Sequence, residues 1–182
     1  MHVIGEKSPL HSPYNIPKVN FMWLLMHKKV LTSENLNKRG ILIPHKCCLC
    51  NKASETSYHL FVNCDFTQSS WGLMLQGLKA PVPSNIVVVY LFTGWKSRYP
   101  ARLSIRPISS KIWKSIPNFL WWKIWLEINE WIFNNTPSTP ALVAAKSKAF
   151  LMEAVGNQAS TLDPSTLLTE HHWLGSFTPV KI

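Results

Sequence analysis

Three cysteines and one histidine in this chain follow the spacing C-x2-C-x8-H-x4-C. They are Cys47, Cys50, His59 and Cys64. Three thiolates and one imidazole complete the tetrahedral coordination of one Zn²⁺ and leave no position open for water, which is typical of a structural site. The alternative is that three buried thiols and an unrelated histidine follow this order by chance. Because the chain has only four cysteines, the spacing favours a single structural zinc ion.

Other residues compete as ligands with these three cysteines and one histidine, the zinc quartet. Cys48 is a possible substitute for Cys47, although only one residue then separates it from Cys50, which suits a zinc turn less well. His45 is also close in sequence. A catalytic Cys47–His59 pair is a further alternative, but these side chains are better used as zinc ligands. We expect three other histidines to face solvent, namely His27, His171 and His172.

Length and composition indicate a small intracellular protein. The 182 residues fit one domain, or one domain with a small appendage. The first eighty or so residues are marginal without metal, and a structural zinc contributes on the order of 10 kcal/mol to folding. Few cysteines, no secretory signal and no apolar run of about twenty residues predict a soluble protein in a reducing compartment, in either nucleus or cytoplasm.

Positive charge is concentrated in two blocks of the chain. The formal net charge is +10. Residues 1–46 hold seven Lys or Arg against two Glu, residues 81–135 again hold seven against two, and the rest is neutral. Basic patches beside a zinc module attract phosphate backbones, although the same residues could simply solvate helix faces. The candidate nucleic-acid contacts are Lys18, Lys28, Lys29, Lys38, Arg39 and Lys46.

The predicted fold is mainly α, with short helices around the zinc loop. Helical spacing places five apolar residues on the inner face of a first helix. They are Val19, Met22, Trp23, Met26 and Val30. Thr32 is predicted to cap a second short helix that ends before Gly40. Asp65 and Gln68 resemble a capping box, which predicts a third helix over residues 66–78.

The longest predicted helix spans residues 109–135, with Pro117 either kinking it or opening a new helix. Its apolar residues form two rows and cover most of its circumference, so it needs cover from other layers or from a partner. The first row is Trp121, Ile124, Trp125, Ile128, Trp131 and Ile132, and the second is Trp122, Leu126 and Phe133. Periodicity leaves residues 85–92 open between helix and strand, and it predicts a last helix over 141–155 ending near Gly156.

Four segments result from these patterns. Residues 1–15 are an irregular N-terminal segment, and residues 16–80 are a zinc-stapled helical domain. Residues 81–136 hold the longest predicted helix, which is the Trp-rich helix. Residues 137–182 are a C-terminal helix and tail, and the tail from residue 157 onward shows only weak signals of secondary structure.

Residues 16–32, 35–36 and 38–40, followed by the zinc quartet, Glu55 and Trp71, resemble the reverse-transcriptase zinc-binding domain of plant LINE-type, non-LTR retrotransposon proteins. Residues 122–133 resemble a segment often found downstream in those proteins, except that Ile128 replaces an arginine. The resemblance implies a parent protein with endonuclease and polymerase activities. It also implies that this chain is a C-terminal fragment of such a protein.

Catalysis by the chain itself is not expected. Two-metal phosphoryl transfer requires clustered carboxylates, and the two aspartates, Asp65 and Asp163, are far apart in sequence. One hypothesis is a non-catalytic zinc module that helps to bind RNA or DNA. The other is a structural or interaction module in which the helix over residues 121–133 docks on a polymerase region or on a second copy. A retroelement remnant without function is a third reading.

Overall fold

The computed structural model describes residues 16–76, 78, 80–98 and 107–159. Within these ranges the protein is mainly helical, as predicted, and its β pairing is limited to an isolated antiparallel bridge between Lys46 and Ser54. The helices are α1 (Ile16–Met26), α2 (Ser33–Lys38), α3 (Asp65–Leu75), α4 (Val88–Gly94), α5 (Pro107–Asn134) and α6 (Pro140–Ala159). A π-helical turn (His59–Asn63) precedes α3, and a 3-10 turn (Lys96–Arg98) follows α4.

The inner face of α1 differs from the predicted one. From residue 18 to residue 26, the buried side chains of this helix are Lys18, Phe21, Met22 and Leu25. Val19 and Trp23, which we predict to lie inside, are 64% and 53% exposed, so the prediction is wrong for both. Apolar residues occupy most of the circumference of α1, and spacing alone therefore does not single out the face that meets the core.

The predicted start of α2 is confirmed. The backbone N–H of Asn35 donates to Thr32 Oγ1 at 3.4 Å, so Thr32 is the N-cap. Gly40 follows the helix with a φ of +81°, a conformation that glycine adopts without steric cost.

The capping box predicted for α3 is not formed. The Gln68 side chain donates instead to the backbone carbonyls of Val62 and Pro83, the latter at 2.6 Å. It therefore ties the loop after α3 to the π-helical turn. A carbonyl that is distant in sequence competes for this amide, and the local motif could not reveal it. The helix also ends at Leu75 rather than at residue 78.

A pair of tryptophans joins α4 to the start of α5. The Trp95 and Trp113 rings stack with centroids 4.3 Å apart and planes 9° from parallel. Each indole N–H donates to the backbone carbonyl of the other residue, at 2.6 and 2.9 Å. The segment that periodicity left open is thus helical from Val88 onward and is held by this reciprocal pair.

The Trp-rich helix α5 is largely covered within the chain. It runs without interruption through Pro117 and packs against α1, α3 and α6. Trp121, Ile124 and Ile128 are almost completely buried. At its C-terminal end, Ile132 and Phe133 remain 55% and 79% exposed. The chain itself therefore supplies most of the cover that the apolar helix requires.

Helix α6 completes the core by packing against both α3 and α5. It starts at Pro140 and runs through Gly156, so the predicted end at that glycine is wrong. The N-terminal segment 1–15 and most of the tail, including His171 and His172, lie outside the described residues. The division into four segments stays a prediction. None of the helices that the structure describes is both long and apolar enough to cross a membrane.

Candidate metal centre

Cys47 and Cys50 lie on a tight turn between the bridged residues Lys46 and Ser54. This segment is the cysteine turn. The backbone N–H of Cys47 donates to the Ala53 carbonyl at 2.8 Å, and that of Asn51 donates to the Cys47 carbonyl at 2.8 Å. Asn51 has a φ of +55°, which asparagine tolerates better than most residues. The left-handed residue reverses the chain just after Cys50, so both thiols remain on the same side of the turn.

His59 and Cys64 lie at either end of the π-helical turn. The backbone N–H of His59 is capped by Thr56 Oγ1 at 3.0 Å, and the N–H of Cys64 donates to the His59 carbonyl at 2.7 Å. This five-residue hydrogen bond widens the turn relative to an α-helix. The side chains between the two ligands are buried and anchor the turn in the core. They are Leu60, Phe61 and Val62.

The four ligand atoms converge on one point. The Sγ atoms of Cys47 and Cys64 are 3.8 Å apart, the Cys50 Sγ is 3.2 Å from His59 Nε2, and all four atoms lie within 4.8 Å of one another. Two sulfurs bound tetrahedrally at about 2.3 Å from zinc are about 3.8 Å apart, and a sulfur and a nitrogen are about 3.5 Å apart. The residues therefore fit one zinc ion, and the predicted site is confirmed.

The electrostatics of the ligands suit a metal that needs thiolates and neutral imidazole. The contact between the two sulfurs raises the pKa of Cys47 and lowers the pKa of Cys64. Burial lowers the pKa of His59, which favours the neutral ring. Zinc requires deprotonated ligands, so binding of the ion replaces the proton that the Cys47 thiol would otherwise hold between the sulfurs.

The two competing ligands lie outside this cluster. Cys48 faces Glu55, and burial followed by the charge of that carboxylate raises the pKa of Cys48 to about 12. His45 is exposed, with its Nδ1 atom 3.5 Å from the Asn37 side-chain amide. Neither residue shares the position at which the four ligands meet.

Two contacts that support the metal centre are not predicted by the sequence. Glu55 is buried, and its carboxylate accepts the Ser33 backbone N–H at 2.9 Å, which ties α2 to the cysteine turn. The Trp121 indole N–H donates to the Phe61 carbonyl at 2.8 Å. Trp121 and Phe61 are separated by 60 residues, and no local pattern in the sequence predicts that they meet.

The candidate phosphate contacts divide into one buried residue and five exposed ones. The exposed residues are Lys28, Lys29, Lys38, Arg39 and Lys46. Lys18 is only 8% exposed, and its Nζ lies 3.7 Å from the Phe119 ring centroid and 4.8 Å from that of Phe150. The predicted surface role of Lys18 therefore does not fit the structure, because this ammonium group points into an aromatic pocket between α1, α5 and α6.

We expect Lys18→Met to raise the free energy of unfolding at pH 7 by about 1–2 kcal/mol. Burial and the nearby Lys123 lower the pKa of Lys18 to about 8 from 10.5, at a cost of 1.36 kcal/mol per pH unit of pKa difference. The two aromatic rings stabilise the cation and offset part of that cost. The variant keeps most of the length of the side chain, and its apolar end can pack against the same rings.

Denaturant unfolding as a function of pH measures this effect. The folded state favours the neutral amine, so the unfolding free energy of the parent should rise as the pH increases from about 8 to 10.5. The Lys18→Met variant should lack that part of the rise. A variant that is less stable than the parent at pH 7 would mean that the cation–ring attraction outweighs the cost of burial.

Comparison with known proteins identifies the N-terminal part of the chain. Residues 6–71 match the family model described as zinc-binding in reverse transcriptase. This range contains α1, α2, the cysteine turn and all four ligands. No curated protein and no solved structure matched the chain. The match and the ligand geometry agree, and together they support a reverse-transcriptase zinc-binding domain at residues 6–71.

Proposed function

We propose that this zinc-binding domain binds nucleic acid through its phosphates. The observation that carries the proposal is that five of the six basic candidates lie exposed within the matched residues 6–71, beside α1, α2 and the cysteine turn. Lys28 and Lys29 follow α1, Lys38 and Arg39 end α2, and Lys46 immediately precedes the first ligand. The proposal also includes the expected origin of the domain in a plant LINE-type retrotransposon protein.

Contacts between α1 and α2 support a joint role for their lysines. The Asn35 side chain donates to the backbone carbonyls of Lys28 and Val30, both at 2.7 Å. Lys28 and Lys38 line the same cavity of about 370 Å³. Lys38 pairs with Glu34 at 2.5 Å, but both side chains are well exposed, so the pair is weak and a phosphate can displace the carboxylate.

Within the proposal the zinc ion has a structural role. Its four protein ligands leave no position for an activated water, and the centre positions the basic loops around it. Asp65, next to the last ligand, pairs with Lys52 at 2.6 Å on the surface. We infer that the chain binds nucleic acid without cutting or extending it.

The salt dependence of binding tests the proposal. Five phosphate contacts predict that affinity falls roughly a hundredfold or more for single strands or duplex DNA between about 50 and 200 mM salt. Lys28→Ser combined with Lys29→Ser should weaken binding. It should also reduce the slope of log affinity against log salt concentration by the amount expected for about two phosphate contacts. Fluorescence anisotropy with labelled oligonucleotides gives both quantities.

A matched control removes the same charge elsewhere. Lys96→Ser combined with Arg98→Ser deletes two exposed cations from the 3-10 turn, outside the zinc-binding domain. This variant should bind like the parent protein. Affinity that does not change with salt, or equal losses in both double variants, would contradict contact through the proposed residues.

A protein-interaction role is the alternative, and Ile132 and Phe133 favour it. They form an exposed apolar end on α5 that a polymerase region or a second copy of the chain could cover. Because most of the Trp-rich face is covered or partly covered within the chain, the fully exposed remainder is small. Sedimentation of the parent and of Phe133→Ser would detect self-association through this end.

A further inference from the structure

We propose that Trp23 is a stacking platform for an unpaired base and that it directs the zinc-binding domain to single-stranded nucleic acid. This inference rests on the nucleic-acid binding proposed above and adds a residue and a substrate class to it. The platform consists of the Trp23 indole, the His27 ring that stacks on it, and the ammonium groups of Lys28 and Lys29.

Trp23 is exposed although it lies on a helix that contributes to the core. Its side chain is 53% accessible, whereas Trp71, Trp113 and Trp121 are almost completely buried. Val19, one helical turn earlier on the same side of α1, is 64% exposed. The indole therefore contributes little to the core of the chain, and the residue remains more than half accessible to solvent.

The indole is held in a defined orientation. The His27 ring stacks on it with centroids 4.3 Å apart and planes 28° from parallel. His27 Nδ1 lies 2.8 Å from the Trp23 carbonyl, which fixes the imidazole as well. Because the ring is already positioned, a base that stacks on it pays less of the cost of ordering a flexible side chain.

The charges around the platform complement a phosphate backbone. Lys29 Nζ lies over the indole ring, 5.5 Å from its centroid. Lys28 and Lys29 are both exposed, so the long Lys29 side chain is free to move aside for a base. Residues 16–33 contain no aspartate or glutamate. Each nucleotide of a strand carries one phosphate, so a base on Trp23 brings its flanking phosphates close to these ammonium groups.

The geometry favours a single strand over a duplex. In a duplex the faces of the bases are stacked on one another and are closed to a side chain, whereas unpaired bases stack on exposed aromatic residues. The platform contacts only base faces and phosphates, which RNA and DNA share. We therefore expect little sequence preference and similar affinity for unpaired RNA and DNA.

The test compares zinc-loaded full-length variants on a labelled oligothymidylate of about 15 nucleotides and on a DNA duplex of the same length. Loss of base stacking costs about 1–3 kcal/mol per base, so Trp23→Ala should weaken single-strand binding roughly 5- to 150-fold. Trp23→Phe should restore most of the affinity. The salt slope of Trp23→Ala should equal that of the parent, because no charge is removed.

Tyr90→Ala is the matched control, since Tyr90 is a 67% exposed aromatic residue on α4 outside the platform. It should bind both probes like the parent protein. Zinc content and unfolding of Trp23→Ala should also match the parent, because the indole is more than half exposed.

The outcomes separate this inference from the proposed function. If the parent protein binds neither probe, the proposed function fails. If it binds with the expected salt dependence and Trp23→Ala binds equally well, phosphate binding stands and the platform is refuted. Equal losses on single strand and duplex would also refute it. Self-association that Trp23→Ala abolishes, with unchanged single-strand binding, would assign this face to a protein contact instead.

Discussion

Cys50→Ser is expected to abolish cooperative unfolding of the zinc-binding domain. The substitution leaves three ligands, and a structural zinc contributes on the order of 10 kcal/mol to folding. A typical domain has only about 5–15 kcal/mol of net stability, so loss of the ion removes a contribution as large as the whole net stability of such a domain. Circular dichroism during denaturant titration should show loss of the transition, and elemental analysis should show loss of one equivalent of zinc.

Cys48→Ser provides the control, because Cys48 adjoins the quartet but faces Glu55. A serine hydroxyl can still donate a hydrogen bond to that carboxylate, so this variant should retain one zinc ion and a transition close to that of the parent. If Cys48→Ser lost the metal and Cys50→Ser kept it, the ligand assignment would be overturned. A chelator added to the parent protein should reproduce the Cys50→Ser result.

The ligand set was predictable because the zinc ion imposes a local code. Cys47 and Cys50 occupy one turn, and His59 and Cys64 occupy the ends of another, so sequence spacing translates directly into geometry. The Thr32 cap and the positive φ of Gly40 were predictable for the same reason. Each of these features depends on residues only a few positions apart.

Features that depend on tertiary contact were not predictable in this way. Gln68 looks like a capping residue but donates to Pro83, which reaches it only in the folded chain. Lys18 looks like a surface cation, yet it lies against the ring of Phe119, about a hundred residues later. In both cases the local pattern was sound, and a partner distant in sequence determined the outcome.

The orientation of α1 illustrates a further limit. Spacing placed Trp23 inside and Lys18 outside, and the structure has them reversed. A helix that is apolar over most of its circumference leaves several faces of similar hydrophobicity, and the shape of the receiving surface selects one. Here α5 and α6 accept Phe21 and the stem of Lys18, and Trp23 is left accessible to a ligand.

Trp121→Ala is expected to lower the free energy of unfolding by about 3–5 kcal/mol, the usual cost of deleting a buried tryptophan side chain. Trp121 is completely buried, contacts Trp71 edge-to-face at 6.1 Å, and donates to the Phe61 carbonyl. Trp121→Phe retains a ring but removes the donor. It leaves a buried carbonyl without that partner, which costs about 1–3 kcal/mol.

The Trp121 variants should also weaken zinc binding, although Trp121 is not a ligand. Phe61 lies on the turn that carries His59, so the hydrogen bond stabilises the conformation that presents the imidazole. Where folding and metal binding are coupled, lost folding energy appears as lost affinity. A loss of 1–3 kcal/mol corresponds to roughly 5- to 150-fold weaker zinc binding, which competition with a chromophoric chelator measures.

Trp125→Phe makes the same chemical change one turn along α5. The Trp125 ring is only partly buried and stacks on Phe21, with centroids 6.0 Å apart. This control should lose less stability and keep zinc affinity within about threefold of the parent, since 1.4 kcal/mol corresponds to tenfold. Equal zinc affinity in Trp121→Phe and Trp125→Phe would show that α5 does not support the metal centre. The expected difference would instead make the Trp-rich helix an energetic part of the zinc-binding domain, although it lies beyond residues 6–71.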